Sequence, residues 1–160
     1  MSSDNQKIEQ RVAAHPFLKG IAMDHIKVLA QSAMPTRFEK DQVIFKAGEP
    51  ANGFYLIESG TVALEGSVFD RGSVTTDVVS AGEALGWSWL FPPYLWHFDA
   101  RATERTTALC FCGVLLRQHR DEDPALSHEL FKRACEVMVR RLQAARGKLL
   151  AAKKPRESAK

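Results

Sequence analysis

The sequence predicts a mainly β fold, a barrel, roll or sandwich of short strands, with helices before it and one long helix after it. Three observations carry that reading. Short β-rich runs between Gly, Ser and Asp turns begin at Thr36 and continue to Cys112. Upstream of Pro35 the apolar residues are spaced as in helices. Downstream of Asp123 a helical pattern runs to about Ala152, with only Gly147 to weaken it.

Taken in order, Ile8 and Val12 suggest a small amphipathic turn before His15-Pro16, and Leu18, Ile21, Ile26, Leu29 and Ala30 keep helical spacing up to Pro35. From Thr36 the period changes. Val43 to Phe45, Phe54 to Ile57 and Val62 to Leu64 are β-rich runs closed by Gly48, Ser59-Gly60 and Gly66. The stretch SVFDRGSVTTDVV places two runs around an Asp-Arg-Gly-Ser turn, a hairpin pattern. RATERTTALCFC resumes the β pattern, and Gly113 to Arg120 reads as a short helix. Asp123-Pro124 then supplies an N-cap and a first-turn proline. The helix that follows is roughly 40 Å long at 1.5 Å per residue, longer than a small β domain is wide. Its early turns carry a broad apolar face, but later only a narrow seam remains. Phe131, Ala134, Met138, Leu142, Ala145 and Leu149 step by three or four residues, as in a coiled coil. The expected organisation is a β domain with its leading helices over residues 1–122, a dimerisation helix over 123–152 and a disordered tail over 153–160.

Composition excludes several classes. A chain of 160 residues with 45% hydrophobic and 26% charged residues is one ordinary globular domain. The net charge of +3 hides an asymmetry. From Lys132 onward ten basic residues face only Glu136 and Glu157, so the remainder is net acidic. A solvated helix face explains this basic stretch more simply than nucleic-acid binding does. The polar start MSSDNQKIEQR has no apolar signal region, and no run approaches a membrane span. Cys110, Cys112 and Cys135 are odd in number and too few for a zinc or iron–sulfur site. They are expected to be buried structural thiols in a reducing cytoplasm. The histidines are scattered without metal-site spacing. No catalytic triad, paired carboxylate motif or P-loop is present, and a non-enzymatic protein is expected.

The segment GEALGWSWLFPPYLWHFDA, Gly82 to Ala100, holds all three tryptophans (Trp87, Trp89 and Trp96) together with Phe91, Tyr94 and Phe98. Glycines and the pair Pro92-Pro93 mark it as neither a core helix nor a core strand. So much aromatic area in a loop points to a pocket, or to the plug of one.

The order of elements and specific residues resemble the cyclic nucleotide-binding domain of the Crp/Fnr superfamily. Phe38, Ile44, Gly48, Tyr55, Ile57, Gly60 and Val62 match its roll signature, with Asp41 where a turn glycine is usual. Gly82-Glu83 and Gly86 match the glycines that open its phosphate-binding cassette. The resemblance covers roughly residues 15–150. It implies a double-stranded β-helix, a jelly-roll-like and cupin-like β-roll, plus the long C-terminal helix.

In that family the cassette carries a Glu that takes the ribose 2′-hydroxyl and an Arg that pairs with the cyclic phosphate. Aligned without gaps, Trp87 stands at the Glu and Trp96 at the Arg, with His97 at the small hydroxyl position. The resemblance therefore gives a candidate pocket of Leu85, Gly86, Trp87, Ser88, Trp96, His97, Phe98 and, in a rival register with a five-residue insertion, Arg101 as phosphate clamp. It implies a regulatory or sensor module that is not an ordinary cAMP binder. A changed planar ligand, an aromatic-plugged constitutive scaffold and weak cyclic nucleotide binding through Arg101 stay open. No cofactor is expected, haem on His97 included. No recognition helix follows the long helix in this sequence, so specific DNA binding is not expected. The expected partners are a second copy through the helix seam, a small ligand and a protein that reads the signal.

Overall fold

The β-rich run folds into eight strands in two antiparallel four-stranded sheets, described in a computed structural model over residues 3–153. The tail expected over 153–160 lies outside the described residues from Lys154 onward. The strands are β1 (Ala33–Phe38), β2 (Val43–Phe45), β3 (Gly53–Ser59), β4 (Thr61–Val68), β5 (Gly72–Ser80), β6 (Ala84–Leu85), β7 (Asp99–Ala102) and β8 (Thr106–Cys112). One sheet runs β1-β8-β3-β6 and the other β2-β7-β4-β5, the arrangement of a β-roll. Helices α1 (Ser3–Ala14) and α2 (Met23–Gln31) precede the roll. Helices α3 (Gly113–Glu122) and α4 (Pro124–Ala152) follow it. None of the described helices is long and apolar enough to cross a membrane.

Strand alternation explains why the chain has two cores. Successive side chains of β3 point to opposite faces. Tyr55 and Ile57 enter the roll interior with Phe38, Phe45, Val62, Leu64 and Val79. Phe54 and Leu56 face the other way, into a second core shared with Val12, Leu18, Ile26, Leu29, Leu116, Leu126 and Leu130 of the helices. The β1-β8-β3-β6 sheet is thus buried on both faces.

Asp123 caps α4 as its sequence suggests, accepting from the backbone N–H groups of Ala125 and Leu126, each at 3.1 Å. Asp41 takes a left-handed φ of 70°, so an aspartate fills the turn position where glycine is usual. Three expectations are corrected. Strand β1 begins at Ala33, two residues before Pro35, because it is a sheet edge, where a strand proline loses no ladder bond that a neighbour needs. The first helix spans twelve residues rather than one turn, because Val12 anchors it in the helix core. The cysteines are not buried thiols. Cys110 is half-buried on the roll side of β8 opposite Tyr55, while Cys112 is exposed at the end of that strand and Cys135 is exposed on α4.

His15 ties the first helices to the roll. Its Nε2–H donates to the Ile57 carbonyl at 2.8 Å, while its Nδ1 accepts from the Phe17 N–H at 3.2 Å. Burial is the main cause that holds its pKa below the ordinary imidazole value. A protonated ring would also turn an N–H against the Phe17 N–H. As pH falls through the usual histidine range, the unfolded chain takes up a proton that the folded chain resists. Stability is then lost. Denaturant titrations at pH 7 and pH 5 should show this fall, and His15→Gln should flatten it. An unchanged slope in that variant rules His15 out as the cause.

Candidate functional site: an aromatic cassette beneath the long helix

The aromatic segment is built around a glycine. Leu85 lies in the roll core, and Trp87, two residues on, lies in the helix core. Gly86 makes the switch at φ 94°, a conformation that side chains rarely adopt. A short 3-10 turn at Ser88–Leu90 then carries Trp89 and Leu90 under α3, and a cis Pro92-Pro93 bond precedes Tyr94.

The chain returns so that Trp96 lies inside the roll, only 4% exposed. Its ring stacks on Phe45 with centroids 3.8 Å apart and planes 9° from parallel. A Cβ placed on Gly86 would sit 2.7 Å from this ring, so glycine is needed for close approach as well as for φ. Trp87 packs in the other direction, 5.2 Å from Phe17 and 5.1 Å from Phe54 between ring centroids. The tryptophans at the two matched ligand positions therefore occupy separate cores and do not meet. The indole N–H groups of Trp87 and Trp89 are buried without an acceptor among the described residues, a polar penalty of about 1–3 kcal/mol each.

Helix α3 holds the cassette in place. Arg117 donates to the carbonyls of Ala51 and Trp89 and lies 4.4 Å over the Tyr94 ring. Arg120 donates to the Leu90 carbonyl at 2.9 Å.

Between the cassette and α4 a cavity of about 320 Å³ remains, lined by Trp87, Ser88, Phe91, His97, Phe98, Met138 and Arg141. It brings together four of the residues singled out in the sequence: Trp87, Ser88, His97 and Phe98. Leu85, Gly86 and Trp96 are not among its lining residues; they are buried in the layer of the roll behind it.

Arg101 is elsewhere. On β7 the residues alternate, so Ala100 and Ala102 enter the roll and Arg101 faces outward. Its Nε–H donates to Glu65 at 2.7 Å and an Nη1–H to Asp41 at 3.0 Å. These carboxylates raise its pKa further, the Glu65 hydrogen bond first. The rival register that makes Arg101 a pocket clamp is corrected accordingly.

The helix seam divides in two. Ala134 is buried in the domain's own core, Phe131 meets Phe91 edge to face at 5.7 Å, and Met138 lines the cavity. Ala134 is thus enclosed within the chain, a correction to its place in an intermolecular seam, while Phe131 and Met138 make contacts within the chain and stay half-buried. The reason is that α4 spends its first four turns covering the sheet's outer face. Leu142, Ala145 and Leu149 are exposed, with Leu142 69% and Leu149 57% exposed, although Ala145 still lines a cavity against the roll beside Leu64 and Phe98.

Sequence reasoning missed Phe91, Met138 and Arg141 as lining residues, with Met138 assigned to the helix seam. Arg141 read there as one more member of a basic run. No local signal set it apart from Arg140, because only the packing of α4 on the cassette decides which of the two faces the cavity. Arg133 of the same run is likewise structural, donating to the carbonyls of Phe17 and Lys19. Among the described residues no group of three or more His, Cys, Asp or Glu side chains could hold a metal ion.

Comparison with known proteins gives a consistent result. The family model "Cyclic nucleotide-binding domain" matches residues 35–121, more than half of the chain. No curated protein matches the sequence. Among solved structures, a putative cyclic nucleotide-binding protein from Geobacter metallireducens superimposes with a TM-score of 0.76 at 26% identity, covering 89% of this chain and 99% of its own. The sensor domain of the transcriptional regulator DNR from Pseudomonas aeruginosa gives 0.68 at 16% identity, covering 89% and 95%. The Thermus thermophilus catabolite activator protein gives 0.66 at 22% identity, covering 86% and 62%. The last two likenesses concern the fold alone.

Proposed function

Because the chain belongs to the cyclic nucleotide-binding domain family, we propose that it is a regulatory sensor domain whose cassette has exchanged cAMP recognition for a different small ligand. The observation that carries this reading is the buried Trp96 stacked on Phe45 within the roll. It stands at the position matched to the family's phosphate-binding Arg. Losing one side of such a charged pair removes about 2–5 kcal/mol, or about 1.5 to 3.5 decades of affinity. Arg101 does not make up this loss, since Glu65 and Asp41 already engage it.

The cavity between the cassette and α4 supports a ligand other than a cyclic nucleotide. Its aromatic lining suits a flat or apolar body, and its volume falls at the small end of the ligand-site range. Two of its lining residues, Met138 and Arg141, belong to α4, so occupancy is felt directly by the long helix. The exposed half of that helix, with Leu142, Ala145 and Leu149, is the surface through which a second copy or a protein partner would read the signal. The fill of the roll interior by Trp96 also favours a second reading, a constitutive dimeric scaffold with a plugged pocket.

Native mass spectrometry of the purified protein, with a calorimetric titration of cAMP, tests both. The sensor reading expects a dimer that carries a co-purifying small molecule and shows no cAMP heat at micromolar concentrations. A dimer without any small molecule favours the scaffold. Micromolar cAMP binding overturns the exchanged-ligand reading.

A further inference from the structure

We propose that the cavity takes a small monocarboxylate with an apolar body, and that Arg141 of α4 is the residue that pairs with its carboxylate. The inference rests on the cassette–helix cavity as the ligand site. The wall is chemically one-sided: Trp87, Phe91, Phe98 and Met138 are apolar, and Arg141 is the one permanently charged side chain among the lining residues.

Arg141 is held but not saturated. An Nη2–H donates to the Ala84 carbonyl of β6 at 3.2 Å, and Nε lies 3.6 Å from Asp77 of β5. A guanidinium has five N–H donors in a planar fork. Two contacts, one of them longer than a hydrogen bond, leave donors for a bidentate carboxylate. The backbone bond to Ala84 also fixes the side chain against the cassette before any ligand arrives, which limits the ordering entropy lost on binding. Arg141 further lines two adjoining cavities, one of about 370 Å³ beside Phe17, Glu83 and Ala84 and one of about 270 Å³ beside Leu64, Asp77, Phe98 and Lys148. The charge thus stands at the junction of three spaces, with the apolar body of a ligand free to lie over Trp87 and Phe98. A cyclic nucleotide carries one phosphodiester charge together with a sugar hydroxyl and a base, and needs more polar partners than Arg141, Ser88 and His97 supply. A carboxylate with a planar or acyl body needs one.

Asp77 supplies the discriminating control, because it competes with the ligand for the same guanidinium. Isothermal titration calorimetry of the full chain with indole-3-acetate and octanoate, against neutral indole and octanol, reads the proposal. Expected is binding of at least one acid about 10- to 100-fold tighter than its neutral partner. Arg141→Gln should abolish that preference, Arg141→Lys should keep part of it, and Asp77→Asn should strengthen acid binding several-fold. The tighter acid identifies whether the body is aromatic or acyl. Equal binding of acid and neutral partner overturns the role of Arg141 and leaves the cavity reading standing. Acid binding that neither Arg141→Gln nor Asp77→Asn alters also overturns it. If no probe binds, neutral or charged, the cavity reading falls together with the inference. Should Arg141→Gln fail to fold, Asp77→Asn decides the matter, since Asp77 lies on a partly exposed strand position.

Discussion

Replacing Trp96 by alanine should lower the unfolding free energy by about 3–5 kcal/mol, the range for emptying a large buried aromatic site. The upper end is expected because the surroundings are poorly placed to collapse. Trp96 stacks on Phe45 inside the roll, beside strands β2, β7 and β4 whose pairing does not involve Trp96. Its backbone is tied on both sides as well. The Trp96 N–H donates to the Glu49 carbonyl at 3.0 Å, and its own carbonyl accepts from the Gly48 N–H at 2.8 Å. The loop therefore stays in place when the ring is removed, and a void remains. Denaturant unfolding with a constant m-value checks the figure. A loss below about 1 kcal/mol would mean that the ring is not the filler of the roll interior. The same variant is informative for ligand binding, because it reopens the space inside the roll without restoring an arginine.

Gly86→Ala should be nearly as severe, through a different mixture of terms. A left-handed φ of 94° costs a side-chain-bearing residue about 1–3 kcal/mol. The new Cβ would also stand 2.7 Å from the Trp96 ring, an overlap worth about 1–3 kcal/mol in a packed core. These terms separate in a double-mutant cycle. In a Trp96→Ala background the overlap disappears and only the backbone term remains, so the two substitutions should be coupled by about 1–3 kcal/mol. Additivity within about 0.5 kcal/mol would show that glycine is present for its φ alone.

Much of the fold was legible in the residues. The strand runs, the β4–β5 hairpin, the Asp123 cap and the long helix follow from local chemistry, whether alternation, turn propensity or capping, although the hairpin turns at Phe69–Arg71 and Gly72 and Ser73 already belong to β5. The start of β1 was not legible, because Pro35 reads locally as a breaker. Only its place at a sheet edge makes it harmless. Nor was the exposure of the cysteines, since local pattern does not say where β8 ends or which face of α4 carries Cys135.

The site was legible by half. The positions matched to the cassette led to Trp87, Ser88, His97 and Phe98, because these neighbours in sequence stay neighbours in the loop. Arg141 lies more than forty residues downstream of them, and nothing in its own surroundings distinguishes it from Arg140. What the sequence by itself determined is the order of elements, the glycine hinge at Gly86 and the aromatic character of the cassette, all of which are properties of contiguous residues. Tertiary structure alone decided that Trp87 and Trp96 enter different cores, that Arg101 is neutralised on the outside by Glu65 and Asp41, and that Arg141 closes the cavity. Each of those outcomes depends on which face of an element meets another, and the facing element is supplied by a distant part of the chain.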